Sequence, residues 1–265
     1  MPETQSQGVR IDYSDCGKGE PALLLMPGWC ATRDAFGKMN ELGAAHRRIL
    51  AVDWRGHGRS GAAHGDFGAE GLVEDALAVI AASGAQQVIP VALAHSGWVA
   101  IELRRRLGPK IPKLVLIDWI VFDPPEAFVS ALRGLQDLQH WEHTRERLFS
   151  MWLEGVSNSV VTQFVRQGMG SFGFEMWARA GREISAAYAQ AGNPLRALES
   201  LAPPVPVLHV YAQPTDPAYW ESQRFFSSSH PWFSVRRVNA LSHFPMLEEP
   251  EEITEAIENF VKNSG

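Results

Sequence analysis

The sequence predicts an α/β protein: a mostly parallel central sheet flanked by helices and interrupted by an inserted helical cap. Three observations carry that prediction. Short, near-continuous apolar runs alternate with helix-like segments up to about residue 122. Strand-like runs then vanish over residues 123–201, and the alternation resumes from residue 202 to 265. Strands that are apolar along their whole length belong to a parallel sheet covered on both faces. The domain reading is therefore a core of residues 1–122 and 202–265 with a cap of residues 123–201 inserted in it.

Each element follows from its local pattern. PALLLMPG reads as a buried strand running into a Pro-Gly turn, and RRILAVDWRGHGRS as a strand ending in a glycine-rich loop. GAEGLVEDALAVIAASG has the amphipathic spacing of a helix with a glycine stop. QQVIPVALA is the next strand, GWVAIELRRRLG the next helix, and PKLVLIDW another short apolar strand. The cap segments FVSALRGLQDL, HTRERLFSMWLEG and FGFEMWARAGREI are helical and aromatic. PVPVLHVYAQPTDP and WFSVRRVNALSHFP return to strand and loop, and EEITEAIENFVKN closes the chain as an amphipathic helix.

Composition narrows the function. The 265 residues are 45% hydrophobic and 20% charged, ordinary for a globular protein with a sizeable core. A net charge of -6 excludes a general nucleic-acid or anionic-membrane surface. No apolar run approaches the ~20 residues of a membrane span, and MPETQSQGVRIDYSD has no signal-peptide core, so the expected place is the cytoplasm. Cys16 and Cys30 are the only cysteines and lie outside any metal-ligand spacing. Nine tryptophans are the unusual feature, because flat aromatic walls suit flat aromatic ligands. The expected partner is thus a small molecule, with the chain a monomer or homodimer.

In an open parallel sheet, ligands sit beyond the carboxyl ends of the strands. The loops there are MPGWC, DWRGHGRS, ALAHSGW, LIDWIVFD, YAQPTDP and LSHFP. Their kind and order resemble the α/β-hydrolase fold over nearly the whole chain. In that fold a sharp strand-to-helix turn presents the nucleophile. Aligning ALAHSG with the turn puts Ala94 at its point. The competing register puts Ser96 there, but then bulky Trp98 falls where close backbone packing wants glycine. With Ala94 at the point, nothing in the elbow can form a covalent intermediate. His243, in SHFP before the last helix, occupies the general-base position of the fold. Asp118 in LIDW and Asp216 in QPTDP are two candidate acids to orient it; a loop-capping role is the simpler reading of Asp216, between two prolines.

One family resembles this combination. PGWC, WRGHGRS, HSGWV, DWIVF, LFSMWLEG, QPTDPAY, HPWFS and SHFP match the cofactor-independent 2,4-dioxygenases of 3-hydroxy-4(1H)-quinolones, across core and cap alike. The resemblance implies that Asp118, in the IDW segment, is the acid. It implies ring cleavage by dioxygen, with release of carbon monoxide and an N-acylanthranilate, and needs neither metal nor organic cofactor. His243 would take the 3-hydroxyl proton while the backbone N–H groups of Trp29 and His95 hold the 4-oxo group. Trp152, with Trp29 and Trp177, would sandwich the bicyclic ring, and Leu148, Phe149, Met169, Phe172 and Met176 would line an apolar path for a 2-alkyl chain. Two departures matter: better-known members carry serine at Ala94 and histidine at Ala31. Their loss makes the site more apolar and favours a long 2-alkyl group such as heptyl over methyl. A hydrolase using Ser96 and an inactive ligand-binding member of the fold are the competing readings.

Overall fold

The computed structural model describes residues 2–263. Its strands are β1 (Glu3–Ser6), β2 (Val9–Cys16), β3 (Ala22–Met26), β4 (Ile49–Val52), β5 (Val88–Leu93), β6 (Leu114–Ile117), β7 (Val207–Tyr211) and β8 (Phe233–Arg237). They form one sheet in the order β1-β2-β4-β3-β5-β6-β7-β8. All pairings from β4 to β8 are parallel, and only β1 with β2 and β2 with β4 run antiparallel. Every residue of β3, β4, β5, β6 and β7 is buried, as expected of strands covered by helices on both faces.

The sequence reading did not anticipate β1 and β2. They form a hairpin whose two turn residues, Gln7 and Gly8, have φ of 49° and 80°. Paired left-handed residues give the turn twist that matches two antiparallel strands. Polar Asp12 and Ser14 are buried in β2. There the Ser60 hydroxyl accepts the Asp12 N–H (2.9 Å) and Arg33 pairs with the Asp12 carboxylate (2.5 Å).

Helices α1 (Gly37–Ala44), α2 (Ala69–Ser83) and α3 (Gly97–Leu107) belong to the first half of the sheet. Between β6 and β7 stand α4 (Glu126–Leu135), α5 (Trp141–Trp152), α6 (Ser159–Gln163), α7 (Phe174–Ala191) and α8 (Pro194–Glu199). No strand occurs in that interval, matching the aromatic helical pattern of its sequence. Polar ties hold this insertion to the sheet layer: Tyr188 Oη donates to the Ile120 carbonyl (2.8 Å), and Glu183 accepts the Ala69 N–H (2.8 Å). Helix α9 (Pro217–Ser229), another element the sequence reading did not name, joins β7 to β8. The chain closes with α10 (Pro245–Glu248) and α11 (Pro250–Lys262).

Candidate active site

The elbow lies where β5 meets α3. Ala94 has a φ of +49°, a left-handed conformation that a residue with a side chain holds only under constraint from its surroundings. One close approach supplies the constraint. A Cβ on Gly97 would lie 2.1 Å from the Trp119 ring, so glycine is required there. Gly28 packs against the elbow from the other side, its would-be Cβ 3.5 Å from the Leu93 carbonyl oxygen. Ser96 sits two residues beyond the point and is 2% exposed, its hydroxyl donating to the Pro27 carbonyl. A methyl group therefore stands where a hydrolase presents its nucleophile, and the neighbouring serine is turned into the loop.

The structure brings His243 and Asp118 together across 125 residues of chain: His243 Nδ1 lies 2.7 Å from Asp118 Oδ2. Asp118 is at the end of β6, with a φ of +47° that turns its carboxyl off the strand. Its other oxygen accepts the N–H groups of Ala212 (2.6 Å) and Gln213 (2.9 Å) from the end of β7. The carboxylate is 1% exposed while the imidazole is 21% exposed. A fixed, buried carboxylate thus orients a partly exposed imidazole. With Nδ1–H donating to the carboxylate, Nε2 keeps a lone pair able to accept a proton. Asp216 is not part of this pair. It is exposed and caps α9, its Oδ1 accepting the Ala218 N–H (2.9 Å).

His95 follows the elbow and has a defined tautomer. Trp119 Nε1–H donates to His95 Nδ1 (3.2 Å), which leaves the proton of the neutral ring on Nε2. Burial, and then the nearby His243, push its pKa down to about 3, so the ring stays neutral. It stacks on Phe128 of α4 (5.5 Å) and meets the edge of Tyr188 of α7 (5.9 Å).

The aromatic residues expected around a ligand are each seated on a protein ring. Trp152 stacks on His243 with centroids 5.3 Å apart and planes 23° apart. Trp29 stacks on Phe67 (5.9 Å), and Trp177 meets Phe149 edge-on (5.7 Å). Phe149 also touches Trp152 (5.9 Å), so Trp177 reaches the His243 region through two intervening rings. Leu148, Met169 and Ala31 are buried. Phe172 contacts His57 (4.9 Å), and the Met176 methyl lies near Gly56, 3.1 Å from where a Cβ would be. A polar cleft of about 310 Å³ between α7 and the loop before α2 is lined by Asp66, Glu175, Arg179 and Arg182; the dyad is not part of its lining.

Three residues near the site were not assigned by sequence reasoning. His57 accepts the Cys30 N–H, His209 lies behind Asp118 with its Nδ1 2.5 Å from Gln223 Oε1, and Phe67 backs Trp29. His57 carried a signal, being a histidine inside WRGHGRS; His209, in an apolar strand, and Phe67, in a glycine-flanked loop, carried none. Among the described residues no three His, Cys, Asp or Glu side chains gather as a metal-binding group.

Comparison with known proteins shows the family. The family model described as the alpha/beta hydrolase family matches residues 23–256. The 2-heptyl-3-hydroxy-4(1H)-quinolone dioxygenase of Mycobacteroides abscessus is 38% identical over 254 residues, covering 95% of this chain and 94% of that protein. The 1H-3-hydroxy-4-oxoquinoline 2,4-dioxygenase of Pseudomonas putida is 34% identical over 264 residues, covering 99% and 100% of the two chains. The chain belongs to the hydroxyquinolone 2,4-dioxygenase family. A solved structure of AqdC with its product, described as the basis for recognition and ring cleavage of the Pseudomonas quinolone signal, superposes with a TM-score of 0.94. It is 35% identical and covers 99% of this chain and 100% of its own. As in other dioxygenases of this family the scaffold is that of a hydrolase, so the chemistry must be read from the site and not from the fold.

Proposed function

We propose that this chain is a ring-cleaving 2,4-dioxygenase of 2-alkyl-3-hydroxy-4(1H)-quinolones, with 2-heptyl preferred over 2-methyl, that works without metal or organic cofactor. The observation that carries the reading is an intact His243–Asp118 pair beside an elbow whose point is Ala94. A base with no nucleophile to activate must take its proton from the substrate.

In this mechanism His243 Nε2 removes the 3-hydroxyl proton and Asp118 stabilises the imidazolium. The backbone N–H groups of Trp29 and His95 donate to the 4-oxo group as charge spreads onto it; preorganised donors of this kind contribute ~3 kcal/mol each. The electron-rich anion reduces triplet dioxygen directly, the step for which most enzymes recruit a metal or flavin. Both dioxygen atoms enter the product, one at C2 and one at C4. C3 leaves as carbon monoxide with its original oxygen, and the product is an N-acylanthranilate. Atoms balance with no other reactant.

Residues 123–201 act as the cap. Trp152 covers His243, and with Trp29 it bounds the place of the bicyclic ring, while Trp177 supports that wall through Phe149. Leu148, Phe149, Met169, Phe172 and Met176 line the path of the alkyl chain, and Ala31 and Ala94 leave room where relatives carry polar groups. We read the enzyme as cytoplasmic and as a monomer or homodimer. Among the described residues no helix is long and apolar enough to cross a membrane. The test is oxygen uptake with 2-heptyl- and 2-methyl-3-hydroxy-4(1H)-quinolone, with carbon monoxide measured in the same vessel. One carbon monoxide per dioxygen consumed is expected. Absence of uptake together with fluorophosphonate labelling of Ser96 contradicts the proposal.

A further inference from the structure

Cys30, directly after the proposed donor Trp29, has a φ of +56° although it is not a glycine. Such a backbone persists only where its neighbours over-determine it. The neighbour here is an imidazole. His57 Nε2 accepts the Cys30 N–H (3.1 Å), and His57 Nδ1 lies 2.9 Å from the Arg55 carbonyl oxygen. An acceptor at Nε2 and a donor at Nδ1 define one neutral tautomer. The ring is 1% exposed and packs against Phe172 (4.9 Å) and Trp29 (6.2 Å), both counted above among the residues of the site.

We propose that His57 is a positioning residue for the dioxygenase reaction: it fixes the peptide after Trp29 and so aims the Trp29 N–H at the substrate oxyanion. This rests on the proposed function and deepens it. A backbone donor cannot be placed by its own side chain. Its direction is set by the peptides on either side, and only a few tenths of an ångström separate a preorganised oxyanion donor from an indifferent one. His57 serves this purpose better than a carboxylate because it accepts from Cys30 without adding negative charge near a developing anion. Burial pushes its pKa down to about 4, which keeps the acceptor lone pair through the neutral range.

The test uses the intact protein and three substitutions. Glutamine extends its Oε1 to the position of Nε2 and can still accept from Cys30. Asparagine reaches only as far as Nδ1, so it can keep the Arg55 contact but not the Cys30 contact. Leucine keeps neither. His57→Gln is expected to retain turnover of 2-heptyl-3-hydroxy-4(1H)-quinolone within about 5-fold, whereas His57→Asn and His57→Leu lose roughly 10- to 100-fold in kcat with KM within about 3-fold. The second readout is anaerobic binding. The neutral and anionic forms of the conjugated ring absorb differently, so the ionised fraction of bound quinolone reports oxyanion stabilisation without turnover. That fraction should fall in the asparagine and leucine variants and hold in the glutamine variant. Should leucine prevent folding, the asparagine–glutamine contrast decides. An asparagine variant with parental kcat and parental ionised fraction overturns the inference, as does a glutamine variant as impaired as asparagine. If the parent neither ionises nor consumes the quinolone, the proposed function falls and this inference with it; an active parent with indifferent variants removes only the role of His57.

Discussion

Asp118 receives two backbone N–H groups on one oxygen and His243 on the other, whereas Asp216 caps a helix in solvent. His243→Ala should lower turnover by ~100- to 10,000-fold, the usual contribution of a positioned base. In Asp118→Asn an amide nitrogen facing His243 Nδ1 would favour the wrong tautomer, so a loss of at least about 100-fold is expected in steady-state oxygen uptake. Asp216→Ala should leave uptake unchanged and cost ~1 kcal/mol of stability through the lost cap. A larger effect on uptake from Asp216 than from Asp118 would refute the assignment. Ser96→Ala, which removes only the bond to Pro27, should keep uptake within a few-fold of the parent and cost ~1 kcal/mol in denaturant titration. At this scale the residues alone left Ser96 as a rival to Ala94 and Asp216 as a rival to Asp118, and only the family resemblance favoured Asp118 as the acid. The tautomer of His95 was not legible, since it depends on Trp119, a contact between residues 24 apart.

The elements that position the site are held by close packing of β5, β6 and α3. Gly97 begins α3 with its Cα against the Trp119 ring, and Trp119 follows Asp118 directly. Gly97→Ala should therefore push that ring, strain the Asp118 turn, and destabilise the fold by ~1–3 kcal/mol or more, as overpacking does. Thermal melts and oxygen uptake should fall together; an unaffected Gly97→Ala would show that the elbow is looser than the geometry indicates. The apolar strands β3–β7 were readable because burial on both faces leaves little room for polar residues. The β1–β2 hairpin was hidden because Asp12 and Ser14 are polar residues buried in β2, and Asp12 meets its partners Ser60 and Arg33 far along the chain. Helix α9 had a legible start in Asp216 and Pro217, but its serine-rich end weakened the helical pattern.

Across the whole molecule, buried histidines tie stability to pH, His57 and His209 among them beside His95. Burial lowers the pKa of His57 and of His209 from 6.5 to about 4. The unfolded chain takes up these protons first, so their neutral packing contributes fully above about 6.5 and is progressively lost as the pH falls to about 4. The full loss is on the order of 3 kcal/mol for each ring. Melting temperature should drop over that window, and His209→Gln should flatten the decline; a pH-independent melt between 4 and 6.5 would contradict it. The dyad itself is a product of the whole fold, since its members are 125 residues apart and meet only through the strand order β6-β7-β8. The loop before the last helix pointed to His243 and the family resemblance to Asp118, whereas the stacking of Trp152 on His243 became visible only in three dimensions. The central claim is that a hydrolase scaffold without a nucleophile lets dioxygen react with a substrate anion. It is tested most directly by the mass of the product formed from 2-heptyl-3-hydroxy-4(1H)-quinolone under ¹⁸O₂ by exhaustively chelated protein. The account predicts an N-acylanthranilate carrying two heavy oxygens and carbon monoxide carrying none; a product labelled from water, or turnover that stops on chelation and returns with a metal, would contradict it.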